Sequence, residues 1–184
     1  MFVQTEPTPN PATLKFIPDQ SVLASGTAEF KSAEEGQASP LARLIFAVDG
    51  VVAVFLGADF ITVTKTEDKD WSLLKPHILA AIMDHFLSGL PAIETGAGDK
   101  GSSAVLDSEI AKQIHELIET RVRPAVAQDG GDITFDRFDN GVVYLHLKGA
   151  CAGCPSSTAT LKSGIERMLK HYIPEVKEVC QVRG

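Results

Sequence analysis

Residues 142–155 read Val142-Val143-Tyr144-Leu145-His146-Leu147-Lys148-Gly149-Ala150-Cys151-Ala152-Gly153-Cys154-Pro155. Apolar and polar side chains alternate from Val143 to Lys148, which predicts a strand with one buried face. Asp139-Asn140-Gly141 precedes that strand and is typical of a tight hairpin turn, so Ile133 to Phe138 is predicted to be the partner strand. Apolar residues at helical spacing then predict a helix from about Ser156 to Tyr172. The stretch therefore predicts a hairpin, a two-thiol loop and a helix, which is an α+β arrangement.

The flanking sequence extends this α+β pattern to the whole C-terminal part. Asp107 is predicted to cap a helix that ends before Pro124, because a proline disfavours helical backbone in the residue before it. Residues 128–132 are predicted to form a turn, since Gly130 and Gly131 tolerate positive φ. A short strand from Val176 to Val182 is expected to close the domain.

The N-terminal part also predicts strands and helices. Ser39 and Pro40 indicate the start of a helix whose predicted buried stripe is Leu41, Leu44, Ile45 and Val48. A second helix is predicted to end at Gly89, with Pro76 in its first turn. Strands are predicted in four segments: Thr13–Ile17, Thr27–Lys31, and a hairpin of Val51–Leu56 and Ile61–Lys65.

Residues 89–105 separate the two parts and are rich in Gly, Ser and Pro, with no apolar period. Gly96, Gly98 and Gly101 match the dinucleotide pattern G-x-G-x-x-G, but they follow a predicted helix rather than a strand, so a linker is the better interpretation. The fold class predicted is α+β, with two small α+β domains, residues 1–88 and 106–184, joined by a flexible Gly/Ser-rich linker.

Composition limits the function classes. The 184 residues carry 24 acidic and 17 basic side chains, a net charge of −7. This balance argues against nucleic acid or an anionic membrane as the main partner. Three cysteines are too few for a disulfide framework. Residues 1–11 have no features of a signal or transit peptide, and the longest apolar run is far shorter than the ~20 residues that span a bilayer. We expect a soluble cytoplasmic protein.

The pair Cys151 and Cys154 is the strongest chemical feature. Two thiols three positions apart in a turn can point at one centre, as in zinc, iron–sulfur and redox sites. If Pro155 is the first helical residue, Cys154 lies near the N-terminus of a helix, where the dipole favours a thiolate. Both cysteines are therefore predicted to be metal or cluster ligands.

The number of thiols predicts a shared site. Zinc or an iron–sulfur cluster held wholly by protein needs four ligands, and the loop supplies two. Cys180 is predicted to be a packed or edge-strand cysteine, and His115, His146 and His171 to be surface or half-buried histidines. Two chains that each contribute two thiolates across a twofold axis would complete the site.

The sequence resembles the NifU-like (Nfu) iron–sulfur proteins. Asp129-Gly130-Gly131-Asp132-Ile133, the hairpin and Gly149 to Ser157 are similar to their C-terminal domain, and Glu6 to Phe16 is similar to the N-terminal domain that accompanies it. The resemblance implies a scaffold or carrier, not an enzyme. It implies a [4Fe–4S] cluster held between Cys151 and Cys154 of two protomers, although a [2Fe–2S] cluster stays open.

The resemblance also implies partners and a location. The chain is expected to be a homodimer when cluster-bound, to receive clusters from upstream assembly proteins and to deliver them to apo iron–sulfur enzymes, without nucleic acid or membrane partners. Family members with this N-terminal domain occur in bacteria and, behind a transit peptide, in mitochondria. A bacterial cytoplasmic protein is expected, or a mitochondrial matrix protein if the chain is a processed form.

Two other functions would use the same thiols. A dithiol oxidoreductase also places C-x-x-C at a helix start, but Gly149-Ala150 replaces the usual aromatic residue before the first cysteine, and no βαβ pattern is present. A structural zinc site shared by a dimer is equally compatible with two cysteines per chain.

Overall fold

A computed structural model of the chain describes residues 1–94, 108–150 and 155–182. The chain divides into two compact units, Met1–Asp99 and Lys100–Gly184, and each contains helices packed on a sheet. The predicted fold class, two small α+β domains, is confirmed. Most of the predicted linker, including the glycines of the G-x-G-x-x-G match, lies outside the described residues.

The first unit is built on a five-stranded antiparallel sheet in the order β1-β2-β5-β4-β3. Two helices, α1 and α2, contribute the buried side chains that pack with the sheet in one apolar core. The strands are β1 Val3–Pro7, β2 Thr13–Pro18, β3 Ala28–Phe30, β4 Val51–Leu56 and β5 Ile61–Lys65, the helices are α1 Pro40–Phe46 and α2 Trp71–Ser88, and Glu35–Ala38 form a 3₁₀ turn. Strand β1 was not predicted.

Helix α1 begins as its sequence predicts but buries a different face. The Ser39 side chain caps it by accepting a hydrogen bond from the Ala42 N–H at 3.0 Å. The prediction that Leu44 belongs to the buried stripe is wrong, because Leu44 is 40% exposed while Leu41, Ala42 and Ile45 are buried. The helix ends at Phe46, so Val48 lies beyond it.

Helix α2 ends before Gly89, as predicted, but starts earlier than expected. The Asp70 carboxylate caps it by accepting from the Ser72 N–H at 2.9 Å, and Trp71 is the first helical residue. The placement of Pro76 in the first turn is therefore wrong, since Pro76 lies inside the helix.

The second unit has a three-stranded sheet in the order β6-β7-β8, in which β6 and β7 are antiparallel and β8 runs parallel to β7. Its elements are α3 Glu109–Leu117, a π-helical segment Ile118–Val122, α4 Arg123–Gln128, β6 Gly131–Asp139, β7 Val142–Gly149, α5 Pro155–Tyr172 and β8 Glu178–Gln181. The predicted hairpin is confirmed: Asn140 and Gly141 both have positive φ, 48° and 83°, as a type I′ turn requires.

Two boundaries of the second unit differ from the predictions. Ser108, not Asp107, caps α3 by accepting from the Ala111 N–H at 3.1 Å. The helical region also does not stop before Pro124. It passes through the π-helical segment and continues as α4, with Pro124 in the first turn of that helix. Arg123, whose N–H donates to the Ile118 carbonyl, joins the two segments, and Pro124 follows it as the second residue of α4.

Among the described helices, none is both long enough and apolar enough to cross a bilayer.

Candidate iron–sulfur site

The two-thiol loop connects the end of β7 to the start of α5. Cys151 and Cys154 themselves lie outside the described residues, whereas the segments on both sides are described. Strand β7 ends at Gly149, one residue beyond its predicted end at Lys148, and α5 begins at Pro155, the residue predicted to fit the first helical position. The chain therefore enters the loop from a paired strand and leaves it into an 18-residue helix.

The entry to the loop is fixed at the base of the hairpin. Gly149 pairs with Gly131 across the sheet, and the Ala150 N–H donates to the Gly130 carbonyl at 3.3 Å. Ala150 is buried. Gly130 has a φ of +80°, a conformation that glycine adopts at little cost, and this allows the turn before β6 to meet the end of β7.

A buried carboxylate anchors that turn. Asp132 is 4% exposed and accepts two hydrogen bonds from Arg123, Nε to Oδ1 at 2.9 Å and Nη2 to Oδ2 at 3.2 Å. Asp132 Oδ1 also accepts from the Ile133 N–H at 2.8 Å. A bidentate guanidinium–carboxylate pair fixes direction as well as distance. The pair therefore ties α4 to the start of β6, one residue after the glycine that pairs with Gly149.

Arg123 follows the π-helical segment, where helix geometry changes. Its Nη1 donates to Glu119 Oε2 at 2.7 Å, so one guanidinium joins two carboxylates. The hydrogen bond that Arg123 donates to Asp132 is the largest of the effects that raise the pKa of Arg123, which keeps the guanidinium charged. Such π-helical turns often occur near functional sites. Sequence reasoning missed this pair; the signal available was an aspartate directly after two glycines.

Cys180 lies on the edge strand β8, half-buried, in agreement with its sequence interpretation. It is in register with Tyr144 of β7. At ~3.3 Å per residue, Tyr144 is ~17 Å along the strand from Gly149, where the loop begins. Burial is the main cause that raises the pKa of the Cys180 thiol, and the charge of Glu178 adds to it. Both facts disfavour a role for Cys180 as a thiolate ligand beside the loop.

His115, His146 and His171 lie apart from one another in the described part of the chain. His146 Nε2 lies 3.2 Å from Asp136 Oδ1 on the neighbouring strand. His171 lies at the far end of α5 from the loop, and His115 packs against Phe135. Within residues 1–94, 108–150 and 155–182, no three His, Cys, Asp or Glu side chains gather as metal ligands would.

Lys162 lies on α5, and its positive charge favours a lower pKa for both Glu166 and the Cys180 thiol. Glu166 joins α5 to β8 directly, because its Oε2 accepts from the Val179 N–H at 3.3 Å while Oε1 accepts from Lys170 at 2.7 Å. Helix α5, which begins directly after the two-thiol loop, is therefore held against the sheet at Glu166, eleven residues after its first residue.

Comparison with known families covers both units. Residues 3–89 match the family described as "Scaffold protein Nfu/NifU N terminal", and residues 114–180 match the "NifU-like domain".

Two relatives match over nearly the full chain, and a solved structure matches about half of it. It is 52% identical to the human "NFU1 iron-sulfur cluster scaffold homolog, mitochondrial" over 99% of this chain and 72% of that protein. It is 51% identical to "NifU-like protein 4, mitochondrial" of Arabidopsis thaliana over 98% of this chain and 66% of that protein. A solution structure of a NifU-like protein from Saccharomyces cerevisiae is 28% identical, with a TM-score of 0.47, over 52% of this chain and 86% of that one.

Proposed function

The chain belongs to the Nfu/NifU family of iron–sulfur scaffold proteins, and on that premise we propose that it carries an iron–sulfur cluster as cargo and delivers it to apo-proteins. One observation carries the proposal: the C-x-x-C loop stands between a strand end fixed at Gly131 and Gly149 and the start of helix α5. The name of the human relative supports the scaffold role.

The donor set suits an iron–sulfur cluster. Cys151 and Cys154 offer two thiolates, the ligands that hold such clusters in most proteins. Cys154 directly precedes Pro155, the first residue of α5, so the positive end of the helix dipole would favour its thiolate form. The two residues between them, Ala152 and Gly153, are small, which would suit the approach of an inorganic core.

We infer that two chains share one cluster. A cubane cluster needs four protein ligands, and one chain offers two in the loop. Cys180, with its raised thiol pKa and its place on β8, is a poor third ligand. A [4Fe–4S] cluster between the Cys151 and Cys154 pairs of two protomers satisfies the count, and a [2Fe–2S] cluster would satisfy it equally.

A cluster at a subunit boundary also suits delivery. Separation of the protomers or exchange of ligands would open the site without unfolding either domain. We therefore propose a carrier without catalytic residues, which receives its cluster from upstream assembly proteins and passes it to apo iron–sulfur enzymes.

The domain limits proposed for this carrier are 1–88, 89–105 for the linker and 106–184. The names of the human and Arabidopsis relatives place those proteins in mitochondria, which favours the mitochondrial matrix over the bacterial cytoplasm among the two locations predicted.

The other two functions would use the same cysteines. A dithiol oxidoreductase needs only one chain and no metal, and a structural zinc site needs two chains and no iron. The scaffold names of the relatives favour neither.

The decisive test is anaerobic reconstitution of the full chain with iron and sulfide, followed by Mössbauer spectroscopy and a mass measurement in solution. We expect the signature of a [4Fe–4S] cluster in a species of twice the chain mass, with one cluster for two chains. A colourless protein that retains only zinc, or a metal-free protein that exchanges electrons with glutathione, would contradict the proposal.

Replacement of the loop cysteines tests the ligand assignment. We expect Cys151→Ala and Cys154→Ala each to lower the cluster content after reconstitution by at least about tenfold, because half of the ligand pair is lost in both protomers. The matched control is Cys180→Ala, which should retain the cluster of the unmodified chain. Iron and sulfide analysis with visible absorption measures this, and circular dichroism checks the fold. A full cluster in Cys151→Ala would refute the assignment.

A further inference from the structure

Helices α1 and α2 of the first unit leave an open groove of about 530 Å³ between them. Most of the side chains that line it are apolar, among them Leu44, Val48, Leu73 and Leu74. Leu44 is the residue that the sequence pattern assigned to the core of this unit and that the structure leaves exposed. An apolar side chain at a core-like spacing that faces outward is a candidate contact for another molecule.

The outer face of α2 extends this apolar surface along the helix. Leu73, Ala80 and Leu87 recur every seven residues and so lie on one face. Leu73 is 69% exposed and Leu87 is 78% exposed. At 1.5 Å per residue, the stripe from Leu73 to Leu87 is ~21 Å long, the length of about four helical turns. A linear surface of this length fits a helix better than a small molecule.

Acidic groups border the same face. Asp84 stands between the leucines, and among the described residues it has no ion-pair partner. Asp49 and Lys69 form an ion pair at 2.6 Å at the α1 end, where Asp49 is almost fully exposed. In the described part of the chain, Lys69 is the only Lys or Arg that lines the groove, and its charge is paired with Asp49. His77 also lines the groove. Asp84 is therefore the acidic group of the lining that is left for a basic partner.

We propose that this groove binds an amphipathic helix of a partner protein, one that presents an apolar face flanked by Lys or Arg. Apolar anchors at helical spacing would contact the leucines, and the basic side chains would face Asp84. A second copy of the chain would bring these acidic borders together, and an anionic membrane would be repelled by them. The inference does not depend on the cluster chemistry, since it concerns the other unit.

Two synthetic peptides test it against the unloaded full chain. One is a four-turn helix with a leucine stripe flanked by lysines, and the other carries glutamates in place of the lysines. Fluorescence anisotropy is expected to show at least tenfold tighter binding of the basic peptide, and added salt should reduce that preference.

Exposed positions allow variants that leave the fold intact. Leu73→Gln should weaken the basic peptide at least tenfold, and Asp84→Lys should reverse the preference toward the acidic peptide. Phe2→Gln is the matched control, an exposed apolar residue of the same unit outside the groove, and should bind as the unmodified chain does.

The proposal is overturned if the unmodified chain binds the two peptides equally. It is also overturned if Leu73→Gln binds the basic peptide as tightly as the unmodified chain does. Self-association of the chain that Leu73→Gln abolishes would also overturn it, because a second copy would then occupy the groove. Co-sedimentation with anionic vesicles that Leu73→Gln abolishes would overturn it in favour of a membrane. Because the unloaded chain is used, a failure here leaves the cluster experiments unaffected, and a failure of reconstitution leaves this result unaffected.

Discussion

His85 is a histidine on the buried face of α2, where an apolar side chain would be expected. It is 1% exposed, it packs edge-on against Phe86, and its Nδ1 has no hydrogen-bond partner among the described residues. Burial lowers the pKa of His85, because the charged imidazolium would lose its hydration. The residue is therefore neutral in the folded unit near neutral pH.

This burial predicts that acid destabilises the first unit. The pKa of His85 is lower in the folded chain than in the unfolded one, so the unfolded chain takes up the proton first. The free energy of unfolding should be constant above the unfolded pKa of about 6.5 and should decrease as the pH falls from there towards the lower folded pKa. Thermal unfolding followed by Trp71 fluorescence, at several pH values through this window, measures the effect.

Two variants on the same helix separate His85 from other groups. His85→Leu should remove most of the decrease in this window. His77→Gln, a change of an exposed histidine, should keep it. A decrease that persists unchanged in His85→Leu would mean that another group is responsible.

At the residue scale, side-chain chemistry predicted the candidate ligands, Cys151 and Cys154, but not the Asp132–Arg123 ion pair that anchors the turn next to their loop. Cys151 and Cys154 stand out in the sequence because of their type and spacing. Asp132 and Arg123 are nine residues apart with a turn between them, and no helical or strand period links such positions. Their contact arises only when α4 packs beside β6, so tertiary structure was needed to find it.

At the scale of elements, the β6–β7 hairpin has the clearest link between sequence and conformation. Gly141 has a φ of +83°, and a Cβ atom there would lie 3.2 Å from the Glu175 carbonyl oxygen and 2.9 Å from the Lys177 side chain. The lysine can move, whereas the backbone conformation disfavours any residue with a Cβ. Gly164 in α5 is the opposite case, because a Cβ atom there would meet no described atom within 4 Å beyond the backbone of its own helix.

Alanine at these two glycine positions is expected to change the free energy of unfolding of the second unit in opposite directions. Gly141→Ala should lower the free energy of unfolding of the second unit by about 1–2 kcal/mol, because of its left-handed backbone. Gly164→Ala should raise it by about 0.5–1 kcal/mol, since alanine favours the helix. Urea unfolding followed by the near-ultraviolet signals of Tyr144 and Tyr172 measures both. Destabilisation by Gly164→Ala, or none by Gly141→Ala, would contradict it.

The elements that sequence predicted well carry their own local signals. Ser39-Pro40, Gly89 and Asn140-Gly141 each fix a boundary by capping or turn chemistry. Strand β1 has no such signal: it is a polar edge strand, held by pairing with β2 and largely open to solvent. The prediction that the helix ends before Pro124 is wrong because the helical region passes from a π-helical segment into α4 at Arg123, a change of geometry that has no local sequence signal. These features depend on pairing and packing, which local patterns do not contain.

At the scale of the whole molecule, the two units have separate apolar cores. The sequence supplies a separate optical probe for each. Trp71 is the only tryptophan and belongs to the first unit, and both tyrosines, Tyr144 and Tyr172, belong to the second. Unfolding of a chain with two cores need not be two-state, so each transition should be followed by its own probe.

The Asp132–Arg123 pair predicts a change confined to one of these transitions. Asp132→Ala leaves a partly buried guanidinium with one partner, Glu119, and removes the acceptor of the Ile133 N–H. We expect a loss of about 2–3 kcal/mol in the transition reported by the tyrosines. The Trp71 transition should not move. Reconstituted Asp132→Ala should also hold less cluster, because the turn that fixes the loop entry is loosened.

Glu119→Gln is the matched control, since it changes the more exposed carboxylate on the same guanidinium. It should cost less than about 1 kcal/mol and should retain the cluster. If Asp132→Ala shifted the tryptophan and tyrosine transitions together, the units would unfold as one cooperative body. If Asp132→Ala did not change the unfolding transition reported by the tyrosines, the Asp132–Arg123 pair would contribute nothing to holding the loop entry. The β6–β7 hairpin alone would then hold it.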